Sequence, residues 1–100
     1  MPTINNISSK LAAYFATQPI DMAWVFGSVA RGEETDASDL DILVRFTPNA
    51  TITLFKYGDM RNAISKIACR DVDLVEYDRL KDFAKQSAER DKILIYERKN

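Results

Sequence analysis

One hundred residues, 46% of them apolar, suffice for one hydrophobic core and leave nothing for a second. Fourteen basic against fifteen acidic side chains give a formal charge of −1, which argues against strong nucleic-acid binding through counterion release. The absence of histidine removes imidazole bases, His metal sites and Ser-His-Asp triads; the lone Cys69 removes an internal disulfide and any multi-Cys zinc site. Chemistry must then come from carboxylates, hydroxyls, backbone amides and bound metal. The first residues lack a signal-peptide pattern, and no apolar run approaches the roughly 20 residues of a membrane helix. The expectation is a single cytoplasmic domain spanning residues 1–100, with no membrane association.

In chain order, Ile4, Ile7, Leu11, Tyr14 and Phe15 recur at helical spacing, predicting an amphipathic helix from Ile4 to Gln18. Asn5 or Asn6 is available near its start, and Pro19 closes it. Asp21 to Gly27, rich in aromatic and β-branched residues, reads as a buried strand. Gly27 to Ser38 is polar and reads as a short helix or turn plus a loop, with Glu33, Glu34 and Asp36 solvated. Leu40 to Phe46 reads as a second strand. A turn at Thr47–Ala50 leads into a helix from Thr53 to Ala68, with Phe55, Met60, Ala63, Ile64 and Ile67 as its apolar stripe. Cys69 reads as a small buried hydrophobe. Asp71 to Tyr77 is a third strand; Asp78 can cap a last helix from Arg79 to Glu89 that would bury Leu80, Phe83, Ala84 and Ala88. Ile93 to Tyr96 is apolar enough for a short final strand. This order implies an α/β (α+β) sandwich around a small sheet of three or four strands.

The chemistry concentrates in the segment from Gly27 to Val44. Asp39 and Asp41 stand two apart on a strand-like stretch, so their carboxylates project on one side while Leu40 and Ile42 face the other. Two carboxylates so placed repel unless a cation lies between them, and oxygen-only ligands on a rigid strand suit Mg²⁺ or Mn²⁺. At the other end, Gly27 lets backbone approach a phosphate closely, and amides at a helix start point towards an anion. Ser28 adds a hydroxyl and Arg31 a guanidinium, although Arg31 alone reads equally well as a surface cation. A third carboxylate is needed from a neighbouring strand. Asp73 is the candidate; Asp71 shares its alternation face and stays open, but Asp73 is better embedded among apolar residues.

Gly27-Ser28, ten intervening residues and then Asp39-Leu40-Asp41 resemble the signature of the minimal nucleotidyltransferases, within the DNA polymerase beta superfamily. Ala30-Arg31-Gly32, Ser38 and Val72-Asp73-Leu74-Val75 are similar to its pattern as well, so the likeness spans nearly the whole chain. The resemblance implies the nucleotidyltransferase fold, a small mixed sheet flanked by helices. It implies transfer of a nucleoside monophosphate from ATP or another NTP to a hydroxyl, with two metal ions. Gly27 and Ser28 would hold the triphosphate, with Arg31 as a further phosphate contact. Asp39, Asp41 and Asp73 would be the catalytic, metal-ligating residues. It further implies a HEPN-domain partner protein, in a toxin–antitoxin pair whose nucleotidyltransferase is the antitoxin and adenylylates the toxin. The alternative expectation is a non-catalytic antitoxin or regulatory subunit that acts by binding alone.

Overall fold

The computed structural model describes residues 4–30, 32 and 39–99, with only the backbone of residues 4–6, 28 and 29. The first helix, α1 (Ile4–Phe15), places Ile7, Leu11 and Phe15 at successive four-residue steps, and all three are buried. It stops short of the expected Gln18 because the chain tightens into turns there, Thr17 N–H donating to the Tyr14 carbonyl. Strand β1 (Ile20–Phe26) follows, then the single turn α2 (Gly27–Ala30) and strand β2 (Leu40–Phe46). Helix α3 (Leu54–Ala68) is capped by Thr53, whose hydroxyl accepts the Lys56 N–H at 3.0 Å. Strand β3 (Val72–Glu76), a 3₁₀ turn (Tyr77–Arg79), helix α4 (Asp82–Asp91) and strand β4 (Ile93–Glu97) complete the chain.

The strands form one mixed sheet in the order β3-β2-β1-β4. β1 is antiparallel to both β2 and β4, whereas β2 and β3 run parallel. A parallel pair needs a long crossover, and α3 supplies it. Its buried residues Met60, Ile64 and Ala68 pack with α1 over Ile42, Val44, Val72 and Leu74 on one face of the sheet. The other face carries a smaller cluster, Trp24 and Leu43 under Ala88 of α4. Arg98 ties the end of the chain back, donating to the carbonyls of Gln18 at 2.5 Å and Ile20 at 3.2 Å. Among the described residues no helix is long and apolar enough to cross a membrane.

Four expectations are corrected by the packing. Phe55 is 87% exposed: it lies nine residues from Ile64, about 180° around the helix, so the row facing the sheet excludes it. Phe83 is 75% exposed for a similar reason, five residues and about 140° from the buried Ala88. The last helix begins at Asp82 rather than Arg79, because Tyr77–Arg79 form a 3₁₀ turn and Asp78 pairs with Arg45 at 3.6 Å instead of capping. Cys69 is exposed: it terminates α3 in the left-handed conformation at φ 58°, its N–H donating to the Ser65 carbonyl.

Candidate active site

The site is set by where three strands meet. β1 ends at Phe26 as β2 begins at Leu40, and Phe26 is the register partner of Asp41. On the other side Asp41 pairs with Asp73 of the parallel strand β3. Adjacent strands lie about 4.8 Å apart, so the two aspartates are side by side on one face of the sheet. Asp39 stands two residues ahead of Asp41, just before β2, and alternation around the buried Leu40 carries it to the same side. Asp71, the alternative to Asp73, falls one row further out; it lies before β3, where its carbonyl accepts the Leu40 N–H at 2.9 Å. Asp73 and not Asp71 is therefore the neighbour of Asp41.

Burial separates the three. Asp41 is half-buried, whereas Asp39 and Asp73 are exposed. The reason for Asp41 is Gly27. That residue has φ +75°, and a Cβ built on it would lie 3.1 Å from the Asp41 carboxyl carbon and closer still to a carboxylate oxygen. Only glycine tolerates both the left-handed backbone and this approach. Gly27 thus joins the end of β1 to the carboxylate of β2. The Ser28 side chain, Arg31 and the acidic segment Glu33, Glu34 and Asp36 lie outside the described residues.

Asp39, Asp41 and Asp73 offer oxygen donors alone, the set preferred by Mg²⁺ or Mn²⁺. Among the described residues no group of three or more carboxylates is gathered tightly enough to grip a metal ion as it stands. The backbone register supplies neighbouring positions, and rotation of the side chains about a cation would do the rest. With the glycine leaving room at Asp41, the residues present fit such an ion.

Tyr57 of α3, a partly buried aromatic as its sequence context suggests, packs against the apolar cluster on the other face of the sheet from Asp41 and Asp73. Partial burial raises the pKa of its phenol above the ordinary 10.0, with the negative charges of Asp73 and then Glu76 adding to the effect. The hydroxyl therefore lies within electrostatic reach of Asp73. Helical periodicity marks Tyr57 only as one more aromatic on α3, and nothing in its spacing announces the carboxylate.

A sequence profile of the family described as polymerase beta, nucleotidyltransferase, matches residues 9–100. Two proteins of Methanocaldococcus jannaschii, both provisionally assigned as protein adenylyltransferases, are 36% and 38% identical over 72 and 74 residues. The first alignment covers 71% of this chain and 72% of the relative; the second covers 71% of each. Among solved structures, a provisionally assigned minimal nucleotidyltransferase superposes with a TM-score of 0.77 at 30% identity over 91% of both chains. A toxin–antitoxin structure with AMP-PNP gives 0.77 at 18% identity, over 92% of this chain and 74% of the other. A tri-AMPylated HEPN toxin of Shewanella oneidensis in complex with its MNT antitoxin gives 0.69 at 16%, over 92% and 71%. Those last two likenesses speak to the fold alone.

Proposed function

The chain belongs to the polymerase beta nucleotidyltransferase family, and on that premise we propose that it transfers AMP from ATP to a hydroxyl of a HEPN-domain partner protein, acting as the antitoxin of that pair. The observation that carries the reading is the row Gly27, Asp41, Asp73: the turn after β1 lies against the Asp41 carboxylate, and Asp73 is the register partner of Asp41 on the adjoining strand. The relatives assigned as protein adenylyltransferases support a protein acceptor. The fold shared with a HEPN-bound antitoxin supports the identity of the partner.

In this mechanism the turn at Gly27-Ser28 holds the triphosphate, its backbone amides facing the phosphate oxygens, with Arg31 as an added contact. Asp39, Asp41 and Asp73 would hold two Mg²⁺ ions, with Mn²⁺ an acceptable substitute; bound there, they neutralise phosphate charge and make the acceptor hydroxyl more acidic. The acceptor oxygen forms a bond to the α-phosphorus as the bond from that phosphorus to the bridging oxygen of the β-phosphate breaks. The electron pair leaves with pyrophosphate, and the hydroxyl proton passes to the Asp73 carboxylate and on to water. The protein's main contribution is to position reactants that would otherwise meet by chance.

The test is incubation of the chain with α-labelled ATP, MgCl₂ and the product of the adjacent gene, which the proposal expects to be a HEPN-domain protein. The partner is expected to take up label, and Asp39→Ala with Asp41→Ala to abolish uptake. Label that survives both substitutions would contradict the mechanism. Neutralisation of the partner in cells by the double variant would show that binding alone suffices.

A further inference from the structure

Helix α4 lies over the face of the sheet that carries Asp41 and Asp73, and it presents a carboxylate there that the mechanism above does not use. Ala84, Ala88 and Asp91 follow one another at four- and three-residue steps, so they share the side of α4 turned to the sheet. Ala88 packs on Trp24 and Leu43. Asp91 comes three residues later in the same row, and its side chain is only 15% exposed.

Strand register fixes which end of the sheet that last turn reaches. Ile93 of β4 pairs with Val25 of β1 in an antiparallel ladder. Asp91 stands two residues before Ile93 and Gly27 two after Val25, so both lie just past the same end of the ladder. The turn α2, which begins at Gly27, packs against α4. The line from Asp73 through Asp41 to Gly27 therefore continues to Asp91.

The stability of α4 does not account for an aspartate at this position. A carboxylate in the last turn opposes the helix macrodipole, and burial adds to the cost of its charge. Arg90 lies 3.6 Å away but is itself 75% exposed, so water screens much of that attraction. Direct contact with phosphate is ruled out by repulsion between like charges. The turn α2 is the remaining neighbour, and a single helical turn is too short to hold its own conformation.

We propose that Asp91 is a positioning residue of the nucleotide site: from the end of α4 it holds the turn α2, and through that turn the triphosphate. The proposal rests on the transfer reading above, which seats the triphosphate on Gly27-Ser28. It gives α4 a task beyond covering the apolar cluster.

The test compares wild type with Asp91→Asn, which keeps the shape and removes the charge. Glu89→Gln is the control, removing the same charge from an exposed position two residues away. Mn·ATP affinity, the urea midpoint of the nucleotide-free protein and amide exchange over Gly27–Ala30 are measured for each. Asp91→Asn is expected to weaken Mn·ATP binding at least about tenfold, the loss usual when a group that orients a binding residue is removed. Exchange over Gly27–Ala30 is expected to quicken in the same variant, and Glu89→Gln to change neither. The sign is decisive, because losing a negative charge beside phosphates would by itself tighten binding. Mn·ATP binding by Asp91→Asn as tight as wild type, or tighter, would overturn the proposal and leave the transfer reading standing. So would a lowered urea midpoint with unchanged exchange over Gly27–Ala30, which would make Asp91 a support of α4 alone. Wild type that fails to bind Mn·ATP would overturn both.

Discussion

The two faces of the sheet are built to different ends. Under α1 and α3, Ile42, Val44, Ile64 and Leu11 are wholly buried in a continuous apolar layer. On the opposite face the apolar cluster is small, and polar contacts complete it. Arg45 lies 4.7 Å from the Tyr77 ring centre and Lys92 4.6 Å from that of Trp24; Tyr77 also donates a hydrogen bond to Glu89. Beyond that cluster the same face carries Asp39, Asp41 and Asp73. At the start of β2 the buried Leu40 and Ile42 alternate with Asp39 and Asp41, so a core residue and a proposed active-site residue differ there by one position.

The comparison can be broken most severely at Ile42. Ile42→Ala opens a cavity in the closed layer and is expected to cost about 2–5 kcal/mol, whereas Leu43→Ala on the α4 face is expected near the lower end of that range. Urea unfolding of the two variants decides the order, and equal losses would remove the asymmetry. Gly27→Ala tests the close approach of the end of β1 to the Asp41 carboxylate. The left-handed backbone alone should cost about 1–2 kcal/mol, and displacement of Asp41 should weaken Mn·ATP binding as well. Thr53→Ala removes the cap of α3 and is expected to cost about 1 kcal/mol, without effect on nucleotide binding. Asp39→Ala should change stability by less than about 0.5 kcal/mol while abolishing transfer.

Alkaline pH sharpens the same contrast, because both tyrosines with raised pKa values lie on the closed side. Burial is the larger cause for each, with Asp59 adding to it at Tyr14 and Asp73 at Tyr57. The folded state favours the neutral phenol, so this stability is present below the ordinary value of 10.0 and lost as pH rises through the raised values. Unfolding measured from about pH 9 to about pH 11 should show that loss, flattened in Tyr14→Phe and Tyr57→Phe.

Much of this was legible in the chain itself. β2 runs from Leu40 to Phe46 as its alternation predicts, and the two-residue spacing of Asp39 and Asp41 places both on one face. Asp73 could be preferred over Asp71 from its apolar flanks, but the parallel register with β2 is what makes it the neighbour of Asp41. That register depends on a crossover of more than 20 residues, which local pattern does not encode. The exposed Phe55 and Phe83 were misread because apolar identity was weighed over helical angle, and their neighbours in the buried rows took the places assigned to them. The influence of Asp73 on Tyr57 could not be read from the chain, because it exists only in three dimensions. Cys69 shows the opposite limit: a residue usually buried here serves as a left-handed helix stop.

The central claim is that one active site is assembled from two adjoining strands, with Asp73 acting on the acceptor. Asp73→Asn tests it most directly, because it keeps the shape of an exposed side chain and removes only its charge. The account predicts Mn·ATP affinity within a few-fold of wild type and transfer to the HEPN-domain protein reduced at least about a hundredfold. Transfer at the wild-type rate would contradict it.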